Sequence, residues 1–145
     1  MQILFSGKHL LVLSNSPSQG DEELYACRVY DVRAGLTEAL MRLPHKYIQG
    51  NTSIMSAPKS TIVTTVNISP DDILFSISQS SNSVDIYDFR YIRSTPLYTC
   101  FHAASANIAG DHYGVTCSQW YTNYHRGPNI LLSGGGDGRS NFLRL

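Results

Sequence analysis

A short motif that occurs twice places the strongest limit on how this chain can fold. Val29-Tyr30-Asp31-Val32-Arg33 recurs as Ile86-Tyr87-Asp88-Phe89-Arg90, 57 positions later. Leu74-Phe75-Ser76 recurs as Leu131-Leu132-Ser133 at the same spacing. Two different landmarks that share one period indicate a repeated supersecondary unit, which buries its apolar surface by packing against its neighbours in the array.

The residues around these landmarks predict β-strands. Runs rich in Val, Ile, Tyr, Phe and Thr alternate with turns of Ser, Asn, Gly, Pro and Asp, as is typical of an all-β chain. Residues 35–43 could form either a helical turn or the outer strand of a sheet. The predicted strands are residues 10–13, 26–32, 61–68, 73–78, 84–89, 97–101, 115–120, 130–132 and 140–145.

The strands can be arranged in three units, at about residues 1–46, 57–102 and 111–145. The first unit begins late, with residues 1–6 as the tail of its innermost strand, and the third unit stops after its third strand. The units can each be laid out as four strands, as the middle unit illustrates. From the innermost strand outwards, the predicted strands of the middle unit are residues 62–68, 73–78, 84–88 and 97–101. Turns are predicted at 69–72 and 80–83.

The turn and the strands of the middle unit resemble those of a WD40 repeat. The resemblance is carried by Ser69-Pro70-Asp71-Asp72 with the strand that follows it, and by Val84-Asp85-Ile86-Tyr87-Asp88. Asp111-His112 and the segment 130–138 resemble the same repeat in the third unit. Tyr30 and Tyr87 stand where this family usually carries Trp, and Leu143 or Arg144 stands there in the last unit.

The resemblance implies an all-β, partial WD40-type β-propeller with two to three four-stranded antiparallel blades. The period of 57 exceeds the roughly 40–45 residues of a typical blade, and long loops at 44–60 and 102–111 would absorb the excess. Because a propeller closes with about 4–8 blades, the ring is not expected to close. The interpretation is a C-terminal piece of a larger propeller, a truncated product, or a part that assembles with another chain. Open faces and edges predict poor solubility or self-association.

Composition narrows the class of partner and the compartment. The 11 basic and 11 acidic residues are spread along the chain, which argues against nucleic acid or an anionic membrane as the main partner. Cys27, Cys100 and Cys117 form no CxxC pair, so neither a zinc site nor a disulfide framework is predicted. Residues 1–13 lack a basic leader and a cleavage site, and no segment reaches the roughly 20 apolar residues of a spanning helix. We expect a cytoplasmic or nuclear protein without a cofactor.

The Gly-rich segment 133–138 is the most conspicuous candidate for chemistry. It leads into a strand rather than a helix, so a hairpin turn is favoured over a phosphate-binding loop. In WD40 blades a set like His112, Ser133 and Asp137 forms a buried hydrogen-bond network, so the resemblance implies a structural role for them. A catalytic role is disfavoured because no nucleophile elbow is present. The histidines without metal-ligand spacing are interpreted as loop or edge residues, and these are His9, His45, His102 and His125.

The repeated Asp-x-Arg motif gives the sharper functional indication. Asp31 with Arg33, and Asp88 with Arg90, end the third strands of two consecutive units. The motif is similar to the WDxR box of WD40 substrate receptors that dock to the DDB1 adaptor of cullin-4 ubiquitin ligases. The resemblance implies that Arg33 and Arg90 contact such an adaptor. The alternative is a local Asp–Arg pair that closes the turn into the fourth strand.

Three functional hypotheses therefore remain. The first is a non-catalytic scaffold that binds other proteins in a multiprotein complex, with no small-molecule substrate. The second is a cullin-4 substrate receptor that uses the two Asp-x-Arg motifs. The third is an enzyme on a β-propeller scaffold, which is disfavoured because no pair of carboxylates or nucleophile with a base can be recognised.

Overall fold

The computed structural model of the protein describes residues 2–5, 7–13, 25–35, 39–44, 47–48, 59–60, 63–91, 93, 95–102, 114–122, 128–136 and 138–145. Within these residues all regular secondary structure is β-strand, as the sequence predicts. The strands are β1 (Gln2–Phe5), β2 (His9–Leu13), β3 (Tyr25–Asp31), β4 (Met41–Pro44), β5 (Tyr47–Ile48), β6 (Lys59–Ser60), β7 (Val63–Ile68), β8 (Leu74–Gln79), β9 (Ser83–Asp88), β10 (Tyr98–Phe101), β11 (Val115–Thr122), β12 (Asn129–Gly135) and β13 (Ser140–Arg144).

These strands form three antiparallel meanders, in which each strand pairs with the next one along the chain. The first sheet has the order β1-β2-β3-β4, the second β7-β8-β9-β10 and the third β11-β12-β13. A separate short pair joins β5 to β6. β1 pairs with β2 as the first strand of the first sheet, which therefore has four strands. Within the segment 35–43, residues 41–43 belong to β4, the outer strand of the first sheet, and residues 36–38 lie outside the described residues.

The turn between β7 and β8 is held by hydrogen bonds from side chains, as expected for Ser and Asp at such positions. The Leu74 amide donates to Ser69 Oγ at 2.8 Å, and the Ser69 amide donates to the Leu74 carbonyl at 2.8 Å. The Ile73 amide donates to Asp71 Oδ1 at 3.1 Å. Asp72 has a φ of 57°, a left-handed conformation that Asp tolerates better than most residues. The predicted turn at 69–72 is therefore present.

The sheets lie side by side, with β1 next to β7 and β7 next to β11. We call the side of a sheet that points to the next sheet along the chain its forward face, and the opposite side its rear face. The first junction joins the forward face of the first sheet (Leu11, Cys27, Val29, Met41, Leu43) to the rear face of the second (Val63, Val66, Phe75, Ile77, Tyr87, Phe89). The second junction joins the forward face of the second sheet (Leu74, Val84, Ile86) to the rear face of the third (Val115, Trp120, Leu131, Leu143, Leu145).

Strand register corrects the repeat spacing of the second landmark. Leu131 pairs with Leu143 on the rear face of the third sheet, as Phe75 pairs with Tyr87 on the rear face of the second. Leu131 therefore corresponds to Phe75, at a spacing of 56, and the predicted spacing of 57 for this landmark is wrong by one residue. A shift of one residue moves side chains to the opposite face of a strand, so Leu132 lies on the forward face. Leu143, and not the residue after it, occupies the position of Tyr87.

Polar side chains contribute to the second junction as well as apolar ones. Ser118 Oγ accepts a hydrogen bond from Ser78 Oγ at 2.9 Å and lies 3.2 Å from Thr65 Oγ1. Asn67 Nδ2 donates to the Ser118 carbonyl at 2.5 Å. Trp120 Nε1 donates to the Asn67 carbonyl at 3.3 Å. Because these bonds have preferred directions, they fix how the second and third sheets are placed relative to each other.

Glycine allows close approach and tight turning in the third sheet. Gly114 has a φ of 65°, and a β-carbon placed on it would lie 2.3 Å from Ser80 Cα. The Gly-rich segment forms the β12–β13 hairpin, where the Gly135 amide donates to the Arg139 carbonyl at 3.0 Å. Gly138 has a φ of 74° in this turn. The hairpin interpretation of this segment is therefore confirmed.

Candidate protein-interaction surface

The Asp88–Arg90 pair lies at the end of β9, whose last residue is Asp88. Asp88 accepts hydrogen bonds from the Arg90 amide at 2.8 Å, from Nε at 2.9 Å and from Nη2 at 2.6 Å. The Asp88 side chain is 4% exposed, whereas the Arg90 side chain is 63% exposed. A buried carboxylate therefore holds an exposed guanidinium in one orientation.

The Asp31–Arg33 pair repeats this geometry in the first sheet. Asp31 accepts from the Arg33 amide at 2.9 Å, from Nε at 3.3 Å and from Nη2 at 3.1 Å. Asp31 pairs with His9 on the neighbouring strand, as Asp88 pairs with Leu74. The two motifs therefore lie at the same end of the third strand in consecutive sheets. The local Asp–Arg pair is thus observed twice, and contact of these arginines with an adaptor stays a prediction.

Each pair also shifts the pKa of both partners. The hydrogen bond from the Arg33 side chain lowers the pKa of Asp31, and the bond from the Arg90 side chain lowers the pKa of Asp88. The same bonds raise the pKa of both guanidinium groups. At neutral pH the pairs are therefore fully ionised. An arginine fixed in this way keeps its outer side available to bind a planar acceptor or an aromatic ring.

A pocket of about 330 Å³ lies next to the second pair. Tyr91 and Leu97 contribute apolar surface to it and are 63% and 51% exposed. Arg90 Cζ lies 5.8 Å from the centroid of the Tyr91 ring. A positive charge beside exposed aromatic and aliphatic groups is the combination that recurs in protein-binding surfaces. The pocket is lined by Asp88, Tyr91, Arg93, Thr95, Pro96 and Leu97.

The two tyrosines at the usual Trp position differ in their surroundings. Tyr87 is 3% exposed and stacks on Phe75 with ring centroids 5.0 Å apart. Burial raises the pKa of Tyr87, and Asp85 raises it further, so the phenol stays protonated. Tyr30 is half-buried on the rear face of the first sheet. Of these two tyrosines, Tyr87 belongs to the core of the first junction.

The predicted network of His112, Ser133 and Asp137 is described only at Ser133, since His112 and Asp137 lie outside the described residues. Ser133 is buried, and its Oγ lies 2.8 Å from His102 Nε2. His102 is 4% exposed and follows β10, and its amide donates to the Asn82 carbonyl at 2.8 Å. His102 lies in the loop after β10, as predicted, and its buried contact with Ser133 is what the sequence did not reveal. The contact joins residues 31 positions apart, which no local spacing in the sequence reveals.

His9 is a second histidine with a contact that the sequence did not reveal. It lies in β2 and its ring stacks on Phe89 with centroids 4.3 Å apart, so it belongs to the first junction rather than to a loop. Burial lowers the pKa of His9, with the Asp31 charge opposing the shift. His45 and His125 lie outside the described residues.

Asp85 is a buried polar residue that the sequence did not single out. It is 0% exposed, and it accepts from Gln79 Nε2 at 2.6 Å and from Thr99 Oγ1 at 2.7 Å. These partners lie on β8 and β10, on either side of β9. The carboxylate therefore ties the three strands together and has a structural role.

The described residues contain no group of three or more His, Cys, Asp or Glu that could hold a metal ion. Cys27, Cys100 and Cys117 are free thiols that lie on β3, β10 and β11. Burial raises the pKa of Cys27 to about 12 and also raises the pKa of Cys100. Because the thiolate is the reactive form, neither thiol is suited to nucleophilic chemistry at neutral pH.

No helix in the described part of the chain is long and apolar enough to cross a membrane. The sequence matches no protein-family model, and no curated protein shows significant similarity to it.

Proposed function

We propose that the chain is a non-catalytic protein-interaction scaffold of the WD40 β-propeller type, in which the three sheets are consecutive blades. Three antiparallel meanders with neighbouring first strands support this assignment. The Ser and Asp turn before β8 and the recurrence of the Asp–Arg pair at one register support it further. Propellers of this type bind partners through loops and strand edges on a rigid frame.

The observation that carries the binding function is the pair of exposed arginines at one edge of consecutive sheets. Each guanidinium is already oriented by its own aspartate, so less side-chain entropy is lost when a partner binds. The pocket beside Arg90 adds apolar surface from Tyr91 and Leu97. Partner proteins with carboxylate or carbonyl acceptors next to an aromatic or aliphatic side chain would fit this edge.

A second candidate function follows from the occurrence of Asp-x-Arg on two consecutive sheets. In this alternative the chain is a substrate receptor of a cullin-4 ubiquitin ligase, and Arg33 and Arg90 bind the DDB1 adaptor. The two candidates differ in the identity of the partner and share the same surface.

The test is a quantitative pull-down with the wild type, with Arg33→Ala combined with Arg90→Ala, and with Arg139→Ala. Arg139 is an exposed arginine in the β12–β13 turn and serves as the matched control. We expect specific partners to bind the wild type and the control but to be reduced at least about tenfold with the double variant. If every partner binds the double variant as well as the wild type, the Asp–Arg edge is not the binding surface.

The same experiment separates the two candidates when purified adaptor is added. Adaptor that binds the wild type and is lost from the double variant supports the ligase receptor. If the adaptor does not bind the wild type, or binds all three proteins equally, the ligase-receptor hypothesis is rejected. The scaffold function is then tested by the binding of the other partners alone.

A further inference from the structure

The segments that follow the two Asp–Arg pairs return to the sheet in the same way. The Leu40 amide donates to the Val29 carbonyl at 2.7 Å, and the Leu97 amide donates to the Ile86 carbonyl at 2.7 Å. Both the donors and the acceptors are 57 positions apart, which is the spacing of the Asp-x-Arg motif itself. The residues between each pair and its leucine can therefore be compared position by position.

This comparison shows that the second sheet carries two side chains of a different kind beside its Asp–Arg pair. Tyr91 stands where the first repeat has Ala34, and Arg93 stands where it has Leu36. An aromatic ring and a positive charge thus replace two aliphatic residues. A ligand that binds through these two side chains would select the second sheet over the first.

Tyr91 and Arg93 both line the pocket of about 330 Å³ that lies beside Asp88. Pro96 and Leu97 complete its apolar wall. The Tyr91 and Leu97 side chains are 63% and 51% exposed, so the pocket is open to solvent. Its volume is at the lower end of the roughly 300–1,000 Å³ of ligand pockets. A space of this size suits one large apolar side chain of a bound peptide.

Of the two charged residues in the lining, Asp88 already has a partner and Arg93 has none among the described residues. Asp88 forms a salt bridge with Arg90 at 2.6 Å. No other described residue makes a hydrogen bond or an ion pair with Arg93. An exposed guanidinium beside apolar surface is complementary to a carboxylate on the ligand.

The other carboxylate close to the pair is Asp71, whose charge also acts on Arg90. Its Oδ1 accepts from Ser69 Oγ and from the Ile73 amide, and its Oδ2 accepts from Asn129 Nδ2. Asp71 is therefore held by the turn before β8 and by the third sheet. Its hydrogen bonds leave Arg93 as the cation of the pocket that a ligand can pair with.

From these observations we infer that the pocket binds a short acidic segment of a partner protein, in which a large apolar residue stands next to Asp or Glu. The apolar side chain packs against Tyr91 and Leu97, and the neighbouring carboxylate pairs with Arg93. Arg90 Cζ, 5.8 Å from the centroid of the Tyr91 ring, supports that ring from the side of the Asp–Arg pair. The inference rests on the proposed function, because it names the segment that is bound at the same surface.

Selection of random heptapeptides displayed on phage, with the purified 145-residue chain as bait, tests the inference. We expect the enriched peptides to share a large apolar residue within two positions of Asp or Glu. Enrichment of peptides without an acidic residue, or of no sequence at all, overturns the inference.

Fluorescence anisotropy with the most enriched peptide then tests the two side chains. Tyr91→Ala and Arg93→Glu are each expected to raise the Kd at least about tenfold. Arg93→Lys keeps the positive charge and should recover most of the affinity that Arg93→Glu loses. Tyr121→Ala and Arg144→Glu are the matched controls, because both residues are exposed on the third sheet and do not line the pocket. Far-ultraviolet circular dichroism verifies that the variants fold like the wild type.

A peptide that binds Tyr91→Ala and Arg93→Glu as tightly as the wild type contradicts the assignment of the pocket. So does a peptide that loses the same affinity with the control variants as with the pocket variants.

The pull-down described above separates this inference from the proposed function. A partner that is lost from Arg33→Ala combined with Arg90→Ala, but that binds Tyr91→Ala and Arg93→Glu normally, rejects the pocket and leaves the Asp–Arg surface. A peptide that requires Tyr91 and Arg93, when no partner responds to the double arginine variant, supports the pocket and rejects the Asp–Arg surface.

Discussion

The second and third sheets share a meander topology but differ in how deeply their strands are buried. Every residue of β8 and β9 is buried, whereas β13 alternates between exposed and half-buried residues. Among the described residues, the second sheet has a neighbour on both faces, whereas the third has one on its rear face alone. β8 and β9 also have a paired strand on each side, whereas β13 is the last described strand of its sheet, so both the packed sheets and the paired strands decide how far a strand is buried.

The polarity of these side chains alone would predict the wrong order of burial for the two sheets. Ser76 and Ser78 are 0% exposed in the second sheet, while Leu132 and Phe142 are largely exposed in the third. The serines are covered by the third sheet, and the apolar pair has no cover among the described residues. An enclosed sheet therefore accommodates small polar side chains. In the third sheet the large apolar side chains are accessible to a binding partner.

The largest expected effect is the loss of an aromatic side chain from the enclosed sheet. Phe75→Ala should lower the free energy of unfolding by about 3–5 kcal/mol, because Phe75 is fully buried and leaves a cavity. Phe142→Ala should change it by less than about 0.5 kcal/mol when measured by urea unfolding of dilute protein. A loss at Phe142 that grows with protein concentration would show that its face is covered by association.

The contact between the two sheets gives an intermediate effect. Gly114→Ala should destabilise the fold by roughly 2–4 kcal/mol, because it combines a positive φ with a clash against the Ser80 backbone. Gly138→Ala is the matched control, since its φ of 74° is also positive but no atom lies within 4 Å of the added carbon. It should cost only about 1–2 kcal/mol. Equal losses in thermal unfolding would mean that the close approach to Ser80 contributes nothing.

The smallest effect concerns pH and compares the enclosed Asp88 with the more open Asp31. The pKa of Asp88 is lowered in the folded state. Its contribution to stability is therefore complete above the ordinary Asp pKa of about 3.9. That contribution is lost as the pH falls through the lowered pKa. Asp88→Asn should therefore reduce the acid dependence of the urea midpoint between about pH 5 and pH 2. Asp31→Asn should reduce it less, because the Asp31 side chain is 19% exposed against 4% for Asp88. The opposite order would contradict the comparison.

Several features of the fold could be predicted from local sequence. The alternation of β-branched and aromatic residues with turn residues predicts the strands, because side-chain periodicity and turn chemistry act within a few residues. The turn at 69–72, the Gly-rich hairpin and the two Asp-x-Arg pairs are of this kind. Each depends on contacts between residues that are close in the chain.

Other features depend on contacts over long sequence distances. The spacing of 56 rather than 57 at Leu131 follows from cross-strand pairing, and sequence similarity does not fix a register to one residue. The contact of His102 with Ser133 and the polar contacts of Ser118 join different sheets. Such pairs have no spacing rule, so they could not be read from the chain.

The sequence by itself determined an all-β chain of repeated meanders with an Asp–Arg pair at the end of two third strands, because strand propensity and turn chemistry are local. Only the tertiary structure decided which face of each strand is covered. That choice depends on register and on neighbouring sheets, so Leu132 and Phe142 are exposed while Ser76 and Ile86, at the same positions of the second sheet, are buried.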